Sequence, residues 1–77
     1  MSITLQYLGI LAEKTGTATE RVELSGTKTE IIKAILKKYP ALEKLSFITA
    51  VNGKVMHGNA DIQEGDQVAL IPPAPGG

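Results

Sequence analysis

Thr27-Lys28-Thr29-Glu30-Ile31-Ile32-Lys33-Ala34-Ile35-Leu36-Lys37-Lys38-Tyr39-Pro40 is the stretch around which the rest of the chain arranges itself. Ser25, Thr27 and Thr29 offer hydroxyls suited to a helix N-cap. Thr27 followed by Glu30 has the spacing of a capping box, in which each side chain satisfies a backbone N–H of the other residue. Ile31, Ile32, Ile35, Leu36 and Tyr39 then fall on one stripe of a 3.6-residue period, while Lys28, Lys33, Lys37 and Lys38 occupy the remainder. The late lysines complement the negative end of the helix dipole. Pro40 disfavours helical geometry at Tyr39 and stops the element. The result is one amphipathic helix with a single apolar stripe, which needs an apolar sheet face to cover.

Strand patterns lie on both sides of it. Before the helix, Ile3, Leu5 and Tyr7 alternate with Thr4 and Gln6, predicting a strand over residues 2–8. Ile10, Leu11 and Ala12 follow, too few for a full helix before Gly16, and read as one helical turn over 9–14. Residues 18–24 alternate again, with Val22 and Leu24 inward and Arg21 and Glu23 outward. After the helix, Phe47 to Asn52 is β-rich and runs into Asn52-Gly53, a dipeptide that tolerates the positive φ angles of a type I′ turn, with Lys54 to His57 returning. Glu64-Gly65-Asp66 reads as a turn into a last strand, Gln67 to Ile71. The predicted order is β-β-α-β-β-β, an α+β roll with one helix packed on a mixed sheet.

Composition narrows the function. The 77 residues hold one domain, and 43% are apolar with one Phe, two Tyr and no Trp, so an aliphatic core is expected. Eight acidic and eight basic side chains cancel, removing the positive field that a sequence-independent nucleic-acid binder relies on. The absence of Cys rules out disulfides and thiolate metal sites. His57 has no companion at metal-ligand spacing and reads as a surface residue. Asp61, Glu64 and Asp66 read as turn chemistry and not as a cation site. No nucleophile elbow or P-loop is present, and neither a charged leader nor a long apolar run occurs, so a non-catalytic protein with a cytosolic address is expected.

Two features fall outside a plain folding account. Pro72-Pro73-Ala74-Pro75-Gly76-Gly77 cannot continue a strand, because proline lacks the N–H that a ladder uses. At about 3.1 Å per residue, a polyproline-like path would carry it roughly 15–20 Å past the last strand, a stiff stalk tipped with two glycines. The other feature is apolar residues on faces that the alternation gives to solvent: Leu8, Ile71, and Val55 near a sheet edge. Two readings stand at this point, an exposed patch at the root of the tail, or single exposed apolar side chains of the kind any surface carries.

Glu64-Gly65-Asp66-Gln67-Val68-Ala69-Leu70-Ile71-Pro72-Pro73-Ala74-Pro75-Gly76-Gly77 resembles the C-terminal signature of the small subunit of molybdopterin synthase. Ala50-Val51-Asn52-Gly53 is similar to that family's hairpin, and Tyr7 through Gly16 to its first strand and helical turn, so the likeness spans essentially the whole chain. At residues 8–13 the family often shows Phe-Ala-x-x-Arg-Glu where this chain has Leu8-Gly9 and Ala12-Glu13, so the arginine's partner contact is not carried over.

The resemblance implies a β-grasp, ubiquitin-like roll over residues 1–71 and a functional tail over 72–77. It implies a sulfur carrier for molybdenum cofactor biosynthesis that binds no cofactor itself. An E1-like enzyme using ATP would adenylate the Gly77 carboxylate, and sulfur would replace AMP to give a thiocarboxylate. Pro72, Pro73, Ala74, Pro75 and Gly76 would then enter the large synthase subunit. There sulfur would pass to cyclic pyranopterin monophosphate to form the dithiolene, and Leu8, Val55 and Ile71 would form the docking surface. A thiamine-pathway carrier or a ubiquitin-like modifier shares the fold and the glycine pair; the double proline argues against both. A proline-rich ligand for an aromatic groove is a different class of explanation.

Overall fold

The computed structural model describes residues 2–73. The helix α2 spans Lys28–Lys38 and starts as its sequence dictates: the Thr27 hydroxyl accepts from the Glu30 N–H at 3.3 Å while the Glu30 carboxylate accepts from the Thr27 N–H at 2.9 Å. The Thr27 N–H, and then the Thr27 hydroxyl, both donating to the Glu30 carboxylate, hold its carboxyl below the usual carboxylate range. Ile31 and Ile35 are buried, and Ile32, Leu36 and Tyr39 pack at the margin of the core. Pro40 opens a 3-10 turn, Pro40–Lys44, that drops Leu42 into the core, an element the sequence reading leaves as loop.

Five strands form the main sheet. β1 is Ile3–Tyr7, β2 Thr19–Val22, β4 Ile48–Val51, β5 Lys54–Val55 and β7 Gln67–Ile71, in the spatial order β2-β1-β7-β4-β5. β1 pairs antiparallel with β2 and parallel with β7, and β4 pairs antiparallel with both β5 and β7. This is the mixed α+β roll of the β-grasp. The short helix α1, Ile10–Thr15, is closed by left-handed Gly16, and Asn52 and Gly53 take φ of 52° and 84° in the hairpin turn, as the dipeptide predicts.

The elements are shorter than the alternation alone suggests, and two more appear: β3, Gly26–Thr27, pairs with β6, Asp61–Ile62, as a separate two-stranded sheet. No periodicity marks a two-residue strand, and the pair forms because Ile62 is buried in the core while Lys28 N–H donates to the Ala60 carbonyl at 2.7 Å. The predicted order β-β-α-β-β-β therefore gains one strand before the helix and one before the last strand.

The core is a single cluster including Ile3, Leu5, Leu11, Ile31, Ile35, Val68 and Leu70. Each fully buried aliphatic side chain contributes roughly 1.5–3 kcal/mol relative to exposure. At one margin of the cluster the Glu20 carboxylate gathers three donors: Tyr7 Oη at 2.6 Å, Tyr39 Oη at 2.7 Å and Lys38 Nζ at 2.8 Å. Burial works against ionisation of Glu20, but the hydrogen bonds from Lys38, Tyr7 and Tyr39 more than offset it and hold the carboxyl below its ordinary value. Burial first, and then the Glu20 carboxylate, push the Tyr7 phenol far above the usual tyrosine range. The two tyrosine rings meet edge to face at 5.8 Å. The ring packing and the shared carboxylate join β1, β2 and the end of α2.

Candidate functional site

β7 lies in the middle of the sheet, paired on both sides, so whatever follows Ile71 is rooted in its most constrained strand. Val68 and Leu70 face the helix and are fully buried. Ala69 and Ile71 therefore face the other way, because successive strand residues alternate. Register then decides their neighbours. Ile71 stands opposite Ile48, and Ala69 opposite Ala50, which in turn stands opposite Val55. On the other side Gln6 stands opposite Ala69, and the Leu8 N–H donates to the Leu70 carbonyl at 3.1 Å, carrying the register on so that Leu8 lies beside Ile71.

The open face thus carries two apolar rows at the end where the chain leaves β7: Leu8, Ile71 and Ile48, then Ala69, Ala50 and Val55. Leu8, Ile48 and Val55 are 37%, 40% and 41% exposed, far more than a core residue. Beyond them the same face turns polar, with Thr4 opposite both Gln67 and Arg21. The structure brings Leu8, Val55 and Ile71 onto one surface. It adds Ile48, which sequence reasoning missed because only the pairing of β4 with β7 puts that side chain beside Ile71.

The start of the tail is held as well. Pro72 is half-buried, and an atom added at the Cβ position of Gly9 would come within 3.1 Å of Pro72 Cγ. Gly9 has φ 55° and ψ −130°, a conformation that side chains other than hydrogen rarely adopt. The loop after β1 therefore closes onto the first proline and braces the tail at its base, a contact that the reading of a stalk projecting past the last strand does not include. Pro73 is exposed. The expectations for Ala74, Pro75, Gly76 and Gly77 lie outside the described residues.

On the other side of β7, Asn52 secures the hairpin. Its Oδ1 accepts from the Gln67 N–H at 2.9 Å, its Nδ2 donates to Asp66 Oδ1 at 3.0 Å, and its own N–H donates to the Gln67 carbonyl at 2.7 Å. Bonds from the Gln63 N–H and from Asn52 hold the Asp66 carboxyl below its ordinary value. Asp66 is thus occupied with turn geometry, and Glu64 Oε1 accepts from the Ser2 N–H at 2.8 Å. Among the described residues no group of His, Cys, Asp and Glu is placed to hold a metal ion. No described helix is long and apolar enough to cross a membrane.

The β-grasp roll with an apolar open face and a tail rising from its central strand defines a small ubiquitin-like protein. A family model described as the ThiS family matches residues 5–77, and the chain belongs to that family of small ubiquitin-fold sulfur carriers. SAMP1 from Haloferax volcanii is similar at 27% identity and TM-score 0.85, with 100% of both chains covered. A Pyrococcus furiosus protein described as molybdopterin converting factor subunit 1 superposes with TM-score 0.88 at 20% identity, covering 96% of this chain and 99% of its own. The complex of subunits 1 and 2 of the molybdopterin-converting factor from Helicobacter pylori contains a chain with TM-score 0.73 and 22% identity, each covered to 100%. The last two establish likeness of fold. A search of curated proteins found no match.

Proposed function

We propose that this chain is the sulfur-carrying subunit of a molybdopterin synthase, working in the cytosol through the carboxyl group of Gly77. The observation that carries the reading is the union of an apolar surface, exposed Leu8, Ile48 and Val55 around half-buried Ile71, with the first proline of the tail, Pro72, braced against Gly9 at its edge. A partner held on that surface receives the tail at a fixed position and angle. The family match extending to Gly77 and the likeness to molybdopterin-converting subunits support the assignment.

The chemistry follows from the weakness of a carboxylate as an electrophile. A carboxylate oxygen attacks the α-phosphorus of ATP and pyrophosphate leaves, giving an acyl adenylate. Sulfur from a hydrosulfide-equivalent donor then attacks the carbonyl carbon, the bond to AMP breaks, and a thiocarboxylate remains. The E1-like partner, which binds and consumes ATP, performs this activation, and the large synthase subunit receives the loaded tail. Glycines 76 and 77 have no Cβ, so they fit a channel narrow enough to exclude water and align the sulfur on cyclic pyranopterin monophosphate. Leu8, Val55 and Ile71 dock the partner, Pro72 to Gly76 span to its site, and the carrier itself catalyses nothing.

Incubation with the activating enzyme, ATP and a sulfur donor is expected to raise the intact mass by about 16 Da, the exchange of O for S, at Gly77. A reconstituted assay with the large subunit and cyclic pyranopterin monophosphate then tests the pathway. Molybdopterin formed by a variant lacking Gly76 and Gly77 overturns the proposal, as does a mass gain that maps to a side chain. The likeness to SAMP1, at 27% identity, and to the structure described as small archaeal modifier protein 1 of Haloferax volcanii, at 25%, favours a second reading, a ubiquitin-like protein modifier. That reading prevails if the activated chain is recovered in isopeptide linkage to lysines while molybdopterin formation is absent.

A further inference from the structure

The sheet has a second unoccupied feature, on the side of the helix and away from the tail. β2 is an outer strand of the sheet. The Tyr7 N–H donates to the Ala18 carbonyl, and in the antiparallel register this makes residues 18, 20 and 22 the ones bonded to β1. The N–H and C=O of Arg21 consequently point away from the sheet, toward solvent. Alongside, α2 does not reach across β2, and a groove of about 210 Å³ opens between them. Leu5, Tyr7, Val22, Leu24, Ala34 and Ile35 give it apolar walls, and Glu23 and Lys38, one charge of each sign, complete the lining. That volume is below the roughly 300 Å³ at which small-molecule sites begin, but it admits an aliphatic side chain.

We propose that the edge of β2 and this groove form a second docking surface, which takes an extended acidic segment of a partner protein as an added strand. Two observations fix that occupant. The backbone groups of Arg21 call for a partner that presents its own backbone, and in such a pair the residue opposite Val22 points to the helix side, over the groove. The flank of α2 beside the groove carries Lys37 and Lys38, with Lys33 one turn earlier, all exposed. Lys38 lines the groove and is bonded to Glu20. Acidic residues flanking the inserted side chain complement this row. A second copy of the chain is a poorer occupant: joining two β2 edges puts both helices on one face of the sheet with their lysines toward each other. Because the surface lies on the opposite face from Leu8, Ile48 and Ile71, it can be occupied while the tail is in use, and the inference is independent of the assignment of pathway.

The test is an amide-shift titration of the full chain with the peptide Glu-Asp-Val-Ile-Val-Ile-Asp-Glu and with the same core flanked by lysines. Shifts centred on Arg21, Val22, Leu24, Ala34 and Lys38 are expected, with the lysine-flanked peptide about tenfold weaker. Arg21→Pro removes the outward N–H together with the side chain that donates to Ser2 Oγ, so Arg21→Ala, which loses the side chain alone, is its control. Arg21→Pro relative to Arg21→Ala, and Ala34→Glu, which fills the groove with a like charge, are each expected to weaken binding about tenfold. Native spectra in these variants separate lost binding from lost fold, and a groove variant that unfolds is replaced by Ala34→Gln. The proposal is overturned by shifts confined to Leu8, Ile48 and Ile71, by equal binding of the two peptides, by variants that bind like the parent, or by a dimer through β2 in sedimentation.

Discussion

Glu20→Ala is the perturbation whose cost the structure defines most closely. It removes the acceptor shared by Tyr7, Tyr39 and Lys38. Tyr7 is 2% exposed, so its hydroxyl has no water to turn to. A hydrogen bond to a charged group is worth about 1.5–3 kcal/mol, and a buried donor left without a partner costs about 1–3 kcal/mol. Tyr39 is only half-buried and recovers part of its loss from solvent, and the exposed Lys38 ammonium adds little. Together these give roughly 2–4 kcal/mol, and on the order of 10–25 °C in Tm for a domain of this size.

The assay is thermal and urea unfolding followed by circular dichroism, run on Glu20→Ala, Tyr7→Phe and the double variant. Glu20 and Tyr7 are in contact, so the double variant is expected to be about 1–2 kcal/mol more stable than the sum of the single effects allows. The pH dependence has a fixed sign. The folded carboxyl is held below its ordinary value of 4.5, so its contribution is complete above that value and is lost as pH falls through the lowered one. The gap between parent and Glu20→Ala should accordingly narrow below about pH 4. A Glu20→Ala cost under about 0.5 kcal/mol, or strict additivity with Tyr7→Phe, refutes the reasoning.

Thr27→Ala takes away the hydroxyl half of the capping box and is expected to cost about 1 kcal/mol in urea unfolding. Gly9→Ala places a methyl on a residue at φ 55° against Pro72 and is expected to cost about 1–3 kcal/mol, and to lower partner-dependent sulfur transfer more than sulfur loading; unchanged Tm and transfer show that the loop accommodates the methyl. Leu70→Ala opens the floor of the central strand and is expected to cost about 2–5 kcal/mol. Ile48→Asp, on the open face, is expected to leave Tm within a few degrees while weakening binding to the large subunit at least about tenfold; loss of fold in that variant shows the face to be structural.

The sequence by itself determined everything carried by near neighbours in the chain. The helix from Lys28 to Lys38 was legible because a 3.6-residue stripe, a capping box and a stopping proline all lie within one stretch. The Asn52-Gly53 turn, the alternation in β1 and β7, and the end of the last strand before Pro72 were legible for the same reason: each is a property of a few consecutive side chains. Leu8 and Ile71 could be named as misplaced apolar residues from parity, and Val55 from its place after the turn near a sheet edge. Whether they met could not be read.

Tertiary structure decided that, by the register of β7 between β1 and β4, which sets Ile48 and Leu8 on either side of Ile71. It also decided that Glu20 collects hydroxyls from two distant tyrosines, that Gly9 closes on Pro72, and that Gly26–Thr27 finds Asp61–Ile62. Each is a pairing between segments far apart in the chain. Such contacts leave no periodic trace in a single sequence, because the partner that gives the residue its role is fixed by strand pairing and packing and not by the residues beside it.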